Sequence, residues 1–444
     1  MAFLGVPPTW YVPAQAQATP TPTPLPTIAP VARNLDALVL FCAYQDSSTF
    51  PLPTILPPYE DFAWYRSHLL SSAFPGVSHF WSAQSQGNVT IHSVAVYPYW
   101  LDLGSTYAAL QHDVPFVPAN LCALSALFRG VDLTPYLRGG TGMIVMVFNY
   151  RLTRNYKYTA GLAIIDHPYL PMTLPIDPIL IAYINDVSPE RPIQSALTHE
   201  LGHLLGLFHS VDPYYRQRGD PYGSAWDVMS SDSGKHKIYT GTGGSFTEIV
   251  CGQWGDASQS FCIPVNAIAA QRYLSGWFTP AHVETIHSPT TTTVALKILD
   301  NPQIAPTERY MIKIDIPQTA EYYTVEARKS GREYDNGLPI KDRPLVLIHR
   351  VNPAASIESR IRILDIDKRD FILGIDTRYS CNNGKDSRTN ANDSGAVWFE
   401  NQNFVDHSGD IMVEIGQYDS RTETFTISVR MGQNIAPPQI GICQ

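Results

Sequence analysis

The rhythm of apolar and polar positions changes sharply at Leu35 and again near residue 286. Between those points short apolar runs alternate with helical periods. Leu38-Val39-Leu40-Phe41 reads as a buried strand, and 58–72, with Phe62, Trp64, Tyr65 and Leu69, as an amphipathic helix. Residues 88–99 alternate clearly and read as a strand, 119–128 as a helix, 143–148 as an apolar strand, and 160–165 and 179–184 as two more. Ser188 and Pro189 then signal a helix start, with Pro192 in its early turn. That helix is expected to begin near 189–192 and to carry Leu197, Leu201 and Leu204 inward. Residues 210–229 have the Pro, Tyr, Gly and Asp content of a loop floor, and 230–248 that of a polar, Gly-rich rim. A last helix, 264–277, is expected to start on Pro264 and end at Gly276. The sum is an α+β fold in which a twisted mixed sheet is backed by helices over 35–285.

Past residue 286 the helical period disappears. Residues 290–299, 310–316, 322–327, 345–350, 411–415 and 424–429 are short strands divided by Pro, Gly and Asp/Asn turns. They predict a C-terminal antiparallel β-sandwich over 286–444, a substrate-binding or purely structural appendage. Ahead of Leu35, Thr19 to Pro30 is a Thr/Pro run that can form neither a helix nor a central strand and is expected to be an extended spacer. Small residues from Ala14 to Ala18 suit signal cleavage. Residues 1–34 therefore read as a leader and linker, and the protein as secreted, with a spacer suited to holding it off a cell surface.

Composition narrows the class. With 444 residues, 16% charged and 44% hydrophobic, the chain is long enough for two or three globular domains. A net charge of −9 argues against nucleic acid as a partner, and no run of 18 apolar residues suggests a membrane span. The expected state is a monomer. The six cysteines contain no C-x-x-C, which disfavours a cysteine zinc cluster and suits disulfides. Cys251 and Cys262, closing a short loop, are the first candidate pair, and Cys42–Cys122 and Cys381–Cys443 follow by elimination.

The chemistry concentrates in T-H-E-L-G-H-L-L-G-L-F-H-S, from Thr198 to Ser210. It contains H-E-x-x-H-x-x-G-x-x-H. On a helix His199 and His203 project from one face on consecutive turns and can share a cation. Glu200, rotated by about 100°, lies beside that cation without coordinating it, where a general base belongs. Gly206 can take φ > 0, ending the helix so that the chain turns back and brings in His209 as a third ligand. Three neutral imidazoles with one open position describe catalytic zinc, because structural zinc sites are closed by protein. The competing reading is an amphipathic helix that carries three histidines by coincidence.

At these residues the chain resembles the metzincin metallopeptidases. Met229, in A-W-D-V-M-S and twenty positions after His209, stands where metzincins place a methionine turn beneath the metal. Phe74-Pro75-Gly76-Val77-Ser78-His79-Phe80-Trp81 with Gln84-Ser85, Leu274-Ser275-Gly276-Trp277, and Tyr322 to Arg328 followed by Asp335 are similar to immune inhibitor A–type secreted peptidases. Those relatives commonly follow the zinc Gly with L-P-D, whereas Leu207-Phe208-His209-Ser210 is similar to the gametolysin branch, so the branch stays open.

The resemblance implies a metzincin-like catalytic domain acting on a protein or glycoprotein substrate as an endopeptidase. It implies that the last strand before the zinc helix, Ile181, Ala182, Tyr183, Ile184 and Asn185, offers an edge to which extended substrate adds, against the simpler reading of an ordinary internal strand, which β periodicity does not distinguish from an edge. Astacin-like enzymes place a transition-state tyrosine two positions after the turn methionine, where this chain has Ser231. Tyr239, Tyr222 and Tyr215 are then the candidates. Asp335, Asn336 and Asp342 could hold a structural calcium ion, against the simpler reading of a solvated loop. Two other functions remain open: a glycoprotein- or mucin-directed peptidase whose β domain reads glycans, and an adhesin with a vestigial metal site.

Overall fold

The computed structural model describes residues 33–45, 70–74, 76–106, 116–136, 142–148, 160–165, 179–185, 193–207, 210–211, 226–229, 236–240, 245–249, 264–287, 289–299, 305, 307–329, 334–338, 343–352, 372–374, 397–406 and 410–432. It is a mixed α+β structure built mostly of sheets. Strands β1 (Arg33–Ala43), β2 (Val89–Asp102), β3 (Gly142–Phe148), β4 (Ala160–Ile165) and β5 (Ile179–Asn185) form one sheet in the order β2-β1-β3-β5-β4. All its pairs are parallel except β4 with β5.

The continuous apolar run of β1 has its cause in this layering, since a strand covered on both faces has no polar side to show. Ala37, Val39, Phe41 and Ala43 face a core shared with helices α1 (Val77–Gln84) and α3 (Ile193–Leu204), the latter contributing Leu197 and Leu201. Leu38, Leu40 and Cys42 face a second core shared with Ala119, Ala123 and Ala126 of α2 (Phe116–Phe128). A disulfide from Cys42 to Cys122 joins β1 to α2, as expected by elimination. Cys251, Cys262, Cys381 and Cys443 lie outside the described residues.

Three strands follow helix α3: β6 (Ser210–Val211), and a hairpin of β7 (His236–Thr240) with β8 (Ser245–Ile249) that falls in the stretch expected to be a polar rim. Helix α4 (Ala269–Leu274) precedes β9 (Val283–Ile286) and β10 (Thr291–Lys297). The remaining strands are β11 (Met311–Asp315), β12 (Tyr322–Lys329), β13 (Pro344–Val351), β14 (Ile372–Gly374), β15 (Val397–Trp398), β16 (Gln402–Val405), β17 (Ile411–Asp419) and β18 (Thr424–Met431). One sheet runs β10-β18-β17-β16, antiparallel throughout. The other runs β6-β14-β13-β12-β11-β9, with β15 also on β13. A third core, with Val325, Ala327, Ile348, Phe425 and Ile427, takes side chains from both sheets. Period-two alternation sends Thr324, Glu326 and Arg328 of β12 to the opposite face, where all three are buried.

Several expectations need correction. The strand containing Ile181, Ala182, Tyr183, Ile184 and Asn185 is internal, hydrogen-bonded to β3 on one side and β4 on the other, so among the described residues the open edge there belongs to Ala160–Ile165. The larger C-terminal sheet is mixed rather than antiparallel, because β9 pairs parallel with β11 and β6 parallel with β14. β9 also puts part of that sheet ahead of residue 286. Of the expected helix 58–72, residues 70–72 are not helical. There the Ser71 hydroxyl accepts the Ala73 N–H at 3.0 Å, a local turn that competes with helix, and 58–69 lie outside the described residues.

The helix expected over 264–277 starts only at Ala269. Its earlier N–H groups are taken by side chains: Asn266 donates to Asp335 at 3.2 Å, Ala267 to Gln84 at 3.0 Å and Ile268 to Asp227 at 3.3 Å, while Ala269, the first helical residue, donates to Glu326. Four acceptors from four other segments read this one stretch of backbone.

Candidate metal centre

Helix α3 ends as the Gly206 reading requires. Gly206 has φ +88°, its N–H donates to His203 O at 2.9 Å, and the Leu207 N–H donates to Gly202 O at 3.0 Å. These two bonds are the Schellman closure of a helix C-terminus. The closure turns Leu207 O back toward the helix, where His203 Nδ1 reaches it at 2.9 Å. His199 Nδ1 lies 2.8 Å from Val228 O. A carbonyl oxygen can only accept, so both Nδ1 atoms carry the proton and both Nε2 atoms present a lone pair.

Those two Nε2 atoms face each other at 3.2 Å. Two lone pairs so placed repel unless a positive charge lies between them. Ligands about 2.05 Å from a tetrahedral zinc ion stand roughly 3.3 Å apart, so the spacing fits two positions of one cation. The coordinating atoms of His199, Glu200 and His203 all fall within 4.8 Å of one another, and the three residues are buried. Burial pushes His199 down to about 4 and, with His199 beside it, His203 down to about 3, so both rings are neutral and available as ligands near neutral pH.

The floor of the centre is the Trp226–Met229 turn, every residue of which is buried. Asp227 Oδ1 accepts the Met229 N–H at 3.2 Å and the Ile268 N–H at 3.3 Å, which shapes the turn and leaves Val228 O directed at His199. Complete burial raises the Asp227 pKa against the pull of those hydrogen bonds. Met229 packs under Gly202. A Cβ at Gly202 would collide with Met229 Sδ and stand 3.0 Å from both Met229 Cε and Trp81 Cη2, so glycine lets α3 settle on the turn and on α1.

No protein-family model, curated protein or solved structure matches this chain.

What the centre contains therefore rests on its own geometry. His199, Glu200 and His203 come together, Gly206 has the positive φ expected of it, and Met229 packs against Gly202 of α3. His209, Tyr215 and Tyr222 lie outside the described residues, and Tyr239 is placed only as backbone in β7. Asp335 is not free for calcium: both its oxygens are held by Arg328, through Nε at 2.6 Å and through Nη2. Asp342 lies outside the described residues. Among the described residues His199, Glu200 and His203 are the one cluster suited to a metal ion. No helix among them is long and apolar enough to cross a membrane.

Sequence reading gave no part to Gly202, Asp227 or Arg328. Gly202 carried a signal, since a glycine inside a helix costs about 1 kcal/mol against alanine and so marks a close approach. Asp227 and Arg328 stood inside quoted motifs, but their partners are 41 and 102 residues away in sequence, a separation no local pattern encodes.

Proposed function

We propose that this protein is a secreted zinc-dependent endopeptidase with a metzincin-like catalytic region and a C-terminal β-sandwich. The observation that carries the reading is the pair of Nε2 lone pairs 3.2 Å apart, each fixed by an Nδ1 proton given to a backbone carbonyl, with a buried carboxylate beside them. His199 and His203 would hold the ion from α3, and His209 is the third ligand implied by the spacing of the motif. Zinc so bound would supply Lewis acidity toward the scissile carbonyl and bring the pKa of water down to about 7.

The chain's own residues do the rest. Val228 O and Leu207 O keep both imidazoles in the tautomer that presents Nε2. Glu200, buried next to those atoms, takes a proton from water and delivers it to the leaving amine. A purely structural ion would need no such base, which supports an enzyme over an adhesin. An extended substrate would add to the open edge at Ala160–Ile165 rather than to the internal strand.

The test is hydrolysis of casein and of a mucin by the full chain, by its Glu200→Ala variant and by chelator-treated protein. Cleavage of casein that is lost in the latter two supports the reading, and cleavage confined to the mucin would redirect it to a glycoprotein-directed enzyme. Unchanged hydrolysis after metal removal would sink it.

A further inference from the structure

Arg328 lies on β12, on the far side of the sequence from α3, and is fully buried. Its guanidinium has five N–H donors, and five acceptors surround it: Asp335 Oδ2 on Nε at 2.6 Å, Glu326 Oε1 and Trp226 O on Nη1 at 3.0 and 3.3 Å, and Asn266 O at 3.4 Å with Asp335 Oδ1 on Nη2. Burial opposes the charge, but the two carboxylates outweigh it and keep the group protonated. One of these bonds goes to Trp226, the first residue of the turn whose third carbonyl fixes His199. A second route runs through Asn266 to Ile268, whose N–H holds Asp227 in the same turn. The hydrolytic chemistry uses none of these groups.

We propose that Arg328 is a positioning residue for the metal centre. By gripping Trp226 O and the Asn266 backbone it holds Val228 O against His199 Nδ1, so the C-terminal sheet is part of the metal site rather than an appendage to it. The proposal rests on the metal-binding reading above.

The test compares zinc dissociation constants of the full chain, by competition with a chromophoric chelator, for the parent, Arg328→Lys, and the triple variant Glu326→Gln/Arg328→Met/Asp335→Asn. Lysine keeps the charge but not the fork, and the triple variant removes all three buried charges together, which protects folding. Val429→Ala, in the third core, is a control for general loosening. Nitrogen-15 spectra of the metal-free proteins report the His199 tautomer independently of metal.

We expect zinc to bind about 10-fold more weakly in both Arg328 variants, with loss of a single His199 tautomer, and the control to match the parent. Parent-like affinity in both variants, equal weakening in the control, or failure of both variants to fold overturns the proposal while leaving a zinc-binding parent intact. A parent that takes up no zinc sinks the proposed function and this inference with it.

Discussion

The Trp226–Met229 turn has a buried polar cluster on each side, and the two handle desolvation in opposite ways. Around Arg328, five donors meet five acceptors and the guanidinium charge is met by two carboxylates inside the cluster. At His199 and His203 the ring protons are directed outward to backbone carbonyls and the lone pairs are aimed at each other. A cluster whose donors and acceptors close on themselves fixes shape. One whose acceptors converge on a point keeps a place for a cation, and the difference separates support from chemistry among residues of similar burial.

The largest effect should come from taking away one of the converging nitrogens. His203→Ala is expected to abolish both metal uptake and peptide hydrolysis, read by metal content and casein cleavage, whereas an equally buried group of the Arg328 cluster would cost stability first. Glu200→Gln sharpens the same contrast: turnover should fall about 10²- to 10⁴-fold while zinc content is retained. Loss of zinc along with turnover would make Glu200 a ligand rather than a base.

On the other side, Asp335→Ala breaks the two-bond pair with Arg328 and takes two of the five acceptors from its buried donors. Breaking such a pair typically costs about 3–5 kcal/mol, and urea denaturation should show a loss of that order. A loss under 1 kcal/mol would mean the cluster does not hold the fold together.

Much of the region around the metal centre was legible because its information is local. The run of β1, the helical spacing of His199 and His203, and the stop at Gly206 each follow from a few neighbouring residues. The buried cluster was not legible, because Gln84, Asp227, Asn266, Glu326, Arg328 and Asp335 come from five separate segments and each looks like an ordinary surface polar residue in its own window. The late start of α4 has the same origin, since tertiary acceptors take N–H groups that local propensity would give to a helix. The position of β5 failed for a related reason: alternation along a strand does not say whether one or both of its edges are paired.

The metal centre should also show itself in the pH response. His199 and His203 have depressed pKa values in the folded state, so the unfolded chain binds more protons between about 6.5 and the folded values of about 4 and about 3. The stability these two rings contribute to the metal-free protein is therefore full above pH 6.5 and falls by about 1.4 kcal/mol per pH unit for each imidazole as the pH drops through that window. Urea midpoints measured from pH 7.5 to 5 check this, and the slope should lessen in His199→Ala. The smallest effect expected is that of Gly202→Ala, where the added methyl collides with Met229 and should cost about 1–3 kcal/mol. A neutral result in thermal denaturation would mean that α3 and the turn are not in tight contact.

X-ray absorption at the zinc edge on the full chain, dialysed after exposure to zinc, bears most directly on the central claim. One ion per chain with imidazole nitrogens at about 2.0–2.1 Å, and loss of that signal in His199→Ala, is the predicted result. A chain that retains no zinc, or retains it with the same spectrum in His199→Ala, would contradict the assignment.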